Sequence, residues 1–457
     1  MDLRNILKTL PEVISPSEKK LSFNVKLKWT LIIIVAFFVM SNISIYGADP
    51  GFLSQFQYLA VIMGTSFGSI ISLGIGPIVM ASIILQLLTG SGILNIDTST
   101  PEGKKFFQGL QKLLVFFFVI FEALIYVLMG GIKAAPGFAG IVILQLVLGG
   151  LAIVFMDEVC QKWGFGSGVS LFIAAGVGWR LFTAAFGFLG TEGFSGGFQA
   201  TGKVWAFIFS IINADSQGAI LALYPILITI GLFLLVVWAQ SLKIEIPLSY
   251  DRLRGYNIKW PLQFFYASVI PVILTAALIA NLQLFGGLLQ NWLGHPTFLG
   301  EIVNGQAVSG FLFWISSTRI IDTIITGSWR WIYILQTLGH ILFFMVLASI
   351  FSLFWVKTSG MDASSQAKNI LKSGLQIPGF RKDERILESI LSRYVISLTI
   401  MGGLAIGLLA SLADVSGALV GGTSLLLGIM IIFQFYQNIA QQHQMDMNPT
   451  MKKMMGV

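Results

Sequence analysis

Charged side chains are scarce in this chain of 457 residues, in which Asp, Glu, Lys and Arg together make up 11%. A soluble globular domain carries about 25%. The one cysteine, Cys160, excludes an intramolecular disulfide. The three histidines form no zinc-ligand pair at helical spacing, and neither a Walker-type phosphate loop nor a G-x-S-x-G elbow occurs. These absences leave little support for a catalytic function, a metal site or a cofactor.

Apolar residues make up 55% of the chain, and its mean hydropathy of +0.83 indicates a polytopic membrane protein. The 49 glycines and 13 prolines suit membrane helices that pack closely or break. No cleavable signal peptide is expected, because the first 28 residues are charged and the apolar run after them is long enough to span a bilayer.

Apolar stretches of spanning length occur ten times, which predicts an all-α polytopic membrane protein with ten transmembrane helices. The predicted spans cover 29–46, 76–94, 112–131, 138–157, 169–188, 219–241, 262–288, 331–356, 394–413 and 418–438. Of the 28 Lys and Arg residues, 23 fall on the side of the N-terminus, so both termini are expected in the cytoplasm.

The ten spans divide into five and five about a long external loop at 189–218, which gives an N-terminal half of 1–217 and a C-terminal half of 218–457. Because five is odd, two similar halves would face opposite ways, as in inverted-repeat membrane proteins. No convincing residue-level repeat supports this division, so it rests on the number of spans alone.

The stretch 47–89 is apolar enough to enter a bilayer, but interruptions prevent it from forming one continuous span. Small residues crowd its middle, and Gly74-Ile75-Gly76-Pro77 ends any helix before it. We expect a re-entrant half-helix at 52–67, a glycine hinge, and then a true span. Irregular backbone at membrane depth is tolerated only against protein or a water-filled cavity, so this stretch predicts a cavity.

Three basic segments flank the spans. Apolar residues at helical spacing in 1–28 predict an amphipathic helix on the membrane surface, with a flexible basic tail as the alternative. These apolar residues are Leu3, Ile6, Leu7, Leu10 and Val13. The cytoplasmic loops 243–260 and 357–393 are long and rich in Arg and Lys. Such loops are either orientation and lipid-contact segments or an electrostatic dock for an acidic partner such as RNA.

Ionisable residues within the predicted spans are few. Glu122 and Arg180 are the clearest candidates for a proton or ion relay, and Asp157 and Glu158 stand at the cytoplasmic end of a span. A coupled carrier normally needs more such groups. Glu122 and Arg180 are therefore assigned structural roles, with Arg180 snorkelling outward.

Two aliphatic pairs stand near helix starts. Ile75 and Val79 are four residues apart, as are Val169 and Ile173, so each pair lies on one helix face. Aliphatic residues at that spacing are ordinarily packing residues. Glycines flank both pairs, however, and would let these helices approach a central axis closely.

Several separated motifs, in order along the chain, resemble signatures of the SecY family, the alpha subunit of the protein-conducting Sec translocon. They are Leu73-Gly74-Ile75-Gly76-Pro77-Ile78-Val79, Pro101-Glu102 with Phe107-Gln108-Gly109-Leu110-Gln111-Lys112-Leu113-Leu114, Gly166-Ser167-Gly168 with Phe172-Ile173-Ala174-Ala175-Gly176, Ile270-Pro271-Val272-Ile273, and Gly421-Gly422-Thr423. The similarity runs from about Leu10 to about Tyr436. Its opening is similar to the archaeal and eukaryotic branch more than to the bacterial one.

The resemblance implies a plug and a pore ring. The half-helix at 52–67 would be the plug that stops the channel from the external side. Six aliphatic side chains would form the ring: Ile75, Val79, Val169, Ile173, Ile273 and Leu427. Branched aliphatic side chains offer a passing chain no hydrogen bonds and close around it, and dry apolar constrictions also gate by dewetting.

The second and seventh predicted spans would form a lateral gate that opens towards lipid. Pro271 is expected to permit a bend in the seventh span. Gln86 and Asn281 look like the polar residues of such a gate, with ordinary interhelical hydrogen bonds as an equal alternative. Met80 occupies a gate position where archaeal relatives carry a small hydroxyl residue, and Ser424 stands where glycine is common.

The resemblance also implies partners. They are a SecE- or gamma-type and a beta-type small membrane subunit, a ribosome, secretory preproteins with their signal peptides, and membrane lipid. The positions that would face the ribosome are Arg252, Arg254, Arg381 and Lys382. The expected function is a passive protein-conducting channel, not an enzyme, in the cell membrane of an archaeon. A secondary transporter of a small solute is the main alternative, and an intramembrane enzyme is the second.

Overall fold

The structure is a computed structural model that describes residues 10–17, 21–49, 63–94, 96, 100–190, 193–198, 201–250, 257–267, 269–372, 375–376 and 383–447. Its helices are α1 (Phe23–Ser41), α2 (Gly76–Gly90), α3 (Pro101–Leu128), α4 (Ala139–Trp163), α5 (Gly168–Phe186), α6 (Lys203–Ile212), α7 (Ser216–Ser241), α8 (Ile270–Leu293), α9 (Gly310–Ile315), α10 (Ile320–Ile325), α11 (Ile332–Thr358), α12 (Ala363–Lys372), α13 (Glu384–Ser416) and α14 (Gly422–Met447).

Ten of these helices correspond to the ten predicted spans: α1 to α5, α7, α8, α11, α13 and α14. Nine have the length and apolar composition to cross a membrane, and α2 is shorter at 15 residues. The mostly helical polytopic fold is therefore confirmed. Helix bounds were less predictable: α3 begins at Pro101 rather than at 112, because the Thr100 hydroxyl caps it by accepting from Gly103 N–H at 3.1 Å.

Short strands connect the helices. They are β1 (Ala48–Asp49), β2 (Lys133–Ala134), β3 (Leu189–Gly190), β4 (Gly193–Phe198), β5 (Lys243–Tyr250), β6 (Asn257–Gln263), β7 (Ile302–Val303), β8 (Gln306–Ala307) and β9 (Leu375–Gln376). The predicted external loop at 189–218 contains the β3–β4 hairpin and all of α6, which packs against α7. Sequence reasoning missed both elements.

The first five and the last five long helices meet along two seams. At one seam α2 packs against α8 and α11, and at the other α5 packs against α14. One continuous buried core lies between the seams and takes side chains from both groups of helices. Both groups of helices therefore build this core.

The two long basic loops share one sheet. β5 pairs with β6 along its length, and Tyr250 at its end pairs with Leu375 of β9. A small second core, which includes Ile246, Ala367 and Leu391, packs this sheet against α12 and α13. The segments 243–260 and 357–393 are thus parts of one layer rather than two independent loops.

The described start of the chain is not helical. Residues 10–17 form no helix, so the predicted amphipathic helix is wrong at Leu10 and Val13, and its earlier residues lie outside the described part. Lys162 at the end of α4 donates a hydrogen bond to the carboxylate of Glu12 at 2.5 Å. This bond lowers the pKa of Glu12, so an ion pair holds the segment to α4.

Candidate functional site

The predicted re-entrant half-helix at 52–67 falls mostly outside the described residues, which omit 50–62. Its last part, 63–67, consists of turns and irregular backbone rather than helix. The predicted half-helix is therefore wrong there. The turns continue to the start of α2 and are held by hydroxyl groups: Ser69 and Ser72 each donate to a backbone carbonyl at 2.6 Å. This irregular segment forms hydrogen bonds within itself and packs against protein. Irregular backbone inside a membrane is tolerated only under such conditions.

Gly74 sets the geometry at the start of α2. It has a φ of 55°, and the next residue, Ile75, donates its N–H to the Met63 carbonyl at 2.8 Å. A Cβ on Gly74 would overlap that same carbonyl, so only glycine fits. Pro77 follows in the first turn of α2, where the missing N–H costs no helical hydrogen bond. The predicted helix break therefore lies where expected, and it places Ile75 in the core.

The start of α5 is held by an aspartate at the end of α4. Asp157 accepts a hydrogen bond from Val169 N–H at 3.0 Å and another from Gln161 at 2.7 Å. A carboxylate at a helix N-terminus satisfies free N–H groups and the helix dipole. Sequence reasoning missed this role for Asp157, although an acidic residue before a glycine-rich helix start is a usable signal.

The start of α14 is built in the same way on α13. Asp414 accepts a hydrogen bond from Thr423 N–H at 2.6 Å, and the Thr423 hydroxyl donates to the same carboxylate. A Cβ on Gly422 would overlap the backbone of Ala413. α5 and α14 therefore each start in contact with the preceding long helix, which carries an aspartate near its end. Leu427 lies about one turn into α14.

Gly168→Ala is expected to destabilise the protein, because the new methyl group would stand 2.6 Å from Asp157 Cα and α4 would have to move. Overpacking of this kind costs about 1–3 kcal/mol. Gly176→Ala is the matched control on the same helix, since an added Cβ there meets nothing within 4 Å. Thermal melting of the purified protein should show a lower midpoint for Gly168→Ala alone. Equal midpoints for the two variants would contradict the close approach of α4 and α5.

Pro271 does not bend α8 as predicted. The predicted span began at 262, which would place this proline inside a helix. The structure instead has strand, bends and turns in the described residues 257–267 and begins α8 at Ile270, so Pro271 falls in the first helical turn. A proline there replaces an N–H that has no helical partner, so the helix needs no kink. Ile273 lies in the same first turn and is 4% exposed.

All six predicted ring residues belong to the core between the two seams. Their exposed fractions are 0% for Ile75, Ile173 and Leu427, 3% for Val79 and 4% for Ile273, and Val169 is half-buried against the same core. They come from four helix starts, those of α2, α5, α8 and α14. None carries a polar side-chain atom, so these six side chains offer no group that binds an ion or hydrogen-bonds a peptide.

Polar groups lie unpaired near the seam between α2 and α8. Gln86 on α2 and Asn281 on α8 are 3% and 1% exposed. Gln86 Oε1 and both side-chain polar atoms of Asn281 have no hydrogen-bond partner among the residues that the structure describes. Met80, also on α2, is half-buried. An unpaired buried polar group costs about 1–3 kcal/mol, so the packed arrangement of α2 and α8 carries a penalty.

The described spans hold a few further ionisable residues. Glu122 is fully buried, and within the described ranges neither of its carboxylate oxygens has a hydrogen-bond partner. Arg180 is half-buried on α5. His340 on α11 places Nε2 3.6 Å from the carboxylate of Asp414. No three His, Cys, Asp or Glu side chains of the described chain come together as a metal site would require.

The predicted docking residues Arg252, Arg254, Arg381 and Lys382 lie outside the described residues. The described strands on either side of them are informative nevertheless. β5 ends at Tyr250 and pairs there with β9, which ends at Gln376. Both basic segments therefore leave from one corner of the same sheet.

Ten helices in two groups, nine of them long and apolar enough to cross a membrane, pack about one buried apolar core and define a polytopic membrane protein. Comparison with known families then identifies the group. The family model described as SecY matches residues 69–436. The chain belongs to the SecY family.

Curated relatives and solved structures agree with this assignment. The chain is 43% identical to the protein translocase subunit SecY of Methanothermobacter thermautotrophicus, over 99% of this chain and 98% of the relative. It is 38% identical to that of Methanocaldococcus jannaschii, over 99% and 98%. A solved protein-conducting channel matches with a TM-score of 0.83 and 37% identity, covering 98% of this chain and 99% of that one. Sec61 in a canine ribosome-channel complex from the endoplasmic reticulum matches with 0.80 and 36%, covering 98% and 99%.

Proposed function

We propose that this chain is the central, pore-forming subunit of a protein-conducting channel, through which unfolded secretory polypeptides cross the membrane. The observation that carries the proposal is that six aliphatic side chains, from four helix starts, belong to or pack against one buried core between two groups of helices. A secondary transporter would need polar groups that coordinate a solute or ion at this depth, and none of the six side chains supplies one. Threading a polypeptide through such a constriction breaks no covalent bond, so the channel itself is not an enzyme.

We further propose that residues 1–217 and 218–457 form two halves of inverted orientation. The Asp157–Val169 contact joins the fourth and fifth long helices of the first half. The Asp414–Thr423 contact joins the fourth and fifth long helices of the second half. The same device at the same place in each half supports a common architecture that no sequence repeat revealed.

The seam between α2 and α8 is the proposed lateral gate, with Gln86, Asn281, Met80 and Pro271 as its residues. Its opening would expose a segment in the channel to lipid. Leu, Ile, Phe and Val each favour the bilayer centre by about 0.3–0.6 kcal/mol. A signal segment with ten such residues would therefore leave for lipid with a gain of several kcal/mol, summed from those values.

The basic layer at 243–260 and 357–393 is the proposed docking surface for a ribosome, through Arg252, Arg254, Arg381 and Lys382. One solved relative is a Sec61 channel in a ribosome-channel complex, which supports such a partner. The second core packs this layer firmly against α13, as a docking surface requires. Small membrane subunits of the gamma and beta types are proposed as further partners.

The distribution of basic residues supports an orientation with both termini in the cytoplasm, since 23 of 28 Lys and Arg lie on one side of the spans. The curated relatives named above are archaeal, which supports an archaeal cell membrane as the location.

Site-specific photo-cross-linking of a stalled, half-exported polypeptide tests the proposed function. A cross-linker placed at Ile75 or Ile273 should capture the stalled chain, because both side chains face the constriction. Ile230 on α7, which is 53% exposed, is the matched control at a lipid-facing position and should not capture it. Capture at Ile230 but not at the two core positions would overturn the proposed path.

A further inference from the structure

Arg180 lies on the inward face of α5. It follows Ile173 by seven residues, which is almost two helical turns, so the two side chains share one helix face about 10 Å apart along the axis. The opposite face of α5 is open to lipid, since Trp179 and Phe182 are each 60% exposed. Arg180 therefore stands on the side of α5 that carries the predicted ring residue Ile173.

Space is left free beside this inward face. On one flank, Val177 packs so closely against α14 that a Cβ on Gly428 would stand 2.6 Å from its Cγ1 atom. Gly176 lies about one turn before Arg180, and an added Cβ there meets nothing within 4 Å. The face that runs from Ile173 to Arg180 therefore has contact with α14 on one flank and open space on the other.

The charge of Arg180 has no partner in the described part of the chain, where its guanidinium group makes no hydrogen bond and no ion pair. A charge without a partner is stable only in contact with water. Arg180 is half-buried, and α5 ends six residues later at Phe186. Under the proposed orientation, this end of α5 is the external one. Water therefore reaches the cation from the external side, beyond the position of Ile173.

The helices around α5 bring no carboxylate to the level of Arg180. Four helices pack against α5, namely α1, α4, α6 and α14. Neither α1 nor α6 contains an acidic residue. The acidic residues of α4 and α14 are Asp157, Glu158 and Asp446, which lie near the ends of those helices that are cytoplasmic under the proposed orientation. These four helices therefore leave the positive charge of Arg180 uncompensated.

We propose that Arg180 is a specificity-determining residue of the channel, which slows the passage of basic segments of a secretory polypeptide and favours acidic ones. This inference rests on the proposed function and names the kind of segment that the pore discriminates. Lysine and arginine side chains that leave the proposed ring are repelled by Arg180, whereas aspartate and glutamate side chains are attracted. Apolar walls strengthen both effects, because they screen charge less than water does.

The test measures the export rates of three secretory reporters that differ only in a short run of lysines, glutamates or serines. The full chain is used in membrane vesicles with its small membrane subunits. Arg180→Gln should raise the rate of the lysine reporter relative to the serine reporter roughly threefold, the size expected for one solvated pair of like charges. Arg180→Glu should raise this ratio further and slow the glutamate reporter. Arg180→Lys keeps the charge and should leave both ratios unchanged, and high salt should weaken the discrimination by the native chain.

Lys133→Gln is the matched control, because Lys133 is an exposed cation on the segment between α3 and α4 and does not lie on α5. Its ratios should equal those of the native chain. An unchanged lysine-to-serine ratio for Arg180→Gln, or an equal change for Lys133→Gln, would overturn the role of Arg180 while export of the serine reporter still supports the channel. Failure of the native chain to export even the serine reporter would instead overturn the proposed function, and this inference with it.

Discussion

The combined variant Ile75→Ser, Val79→Ser and Ile273→Ser is expected to leak ions in the resting state. All three side chains are at most 4% exposed and belong to the buried core that the first five and the last five long helices share. Serine removes most of the apolar surface and adds hydroxyl groups that hold water in the constriction. A dry apolar constriction excludes ions because they would have to shed their hydration, so wetting it removes the barrier.

The expected size of this effect is large. Each reduction of about 1.4 kcal/mol in a barrier raises the rate of crossing tenfold. Three substitutions at one constriction should therefore raise the resting conductance by at least about tenfold. Planar-bilayer recordings of the purified channel, without a translocating polypeptide, measure this directly.

Leu284→Ser is the matched control for the leak. Leu284 is 0% exposed and lies on α8, as Ile273 does, but about 16 Å further along the helix by its rise of 1.5 Å per residue. This variant loses a similar amount of core packing and should melt at a lower temperature without leaking. If the ring variant and Leu284→Ser leak equally, general loosening of the core explains the current and the proposed ring does not.

An oxidised cysteine pair that bridges α2 and α8 is expected to abolish export of secretory proteins. The two helices pack directly against each other at the seam between the first five and the last five long helices. A disulfide holds two Cα atoms within about 7 Å, so the seam would be unable to open. The pair should be placed at facing positions whose Cα atoms meet this limit, in a Cys160→Ala background. Cys160 is buried and is the chain's one cysteine, so this background removes competing thiols.

The control for the gate is a cysteine pair between α3 and α4, which pack together within one half. Oxidation of that pair should leave export intact, because the halves remain free to separate. Export should return when the α2–α8 pair is reduced. Undiminished export with the α2–α8 bridge shown to be complete on a gel would remove the proposal of a lateral gate at this seam.

The sequence indicated the membrane class, the ten spans and the break before α2. These features depend on local properties: about 20 consecutive apolar residues make a span, and glycine and proline end a helix wherever they occur. Gly74 is a clear example, since its positive φ is a property of one residue. The resemblance of the motifs to the SecY family is confirmed by the comparisons, whereas the roles of the individual site residues stay predictions.

Contacts between distant residues were not predictable in this way. The expected bend at Pro271 was wrong because strand and turns precede α8, and α6 with the β3–β4 hairpin was missed within a long loop. The aspartates that hold the starts of α5 and α14 were also missed as caps. Each of these features depends on where another segment lies.

The amino-acid sequence by itself determined that this chain crosses a membrane ten times and which side chains are aliphatic at the four helix starts. Only the tertiary structure decided that those side chains belong to or pack against one core and that two basic loops share one sheet. The physical reason is that hydropathy and backbone preference act over a few neighbouring residues. Helix packing and strand pairing instead join groups hundreds of positions apart, whose geometry no local pattern records.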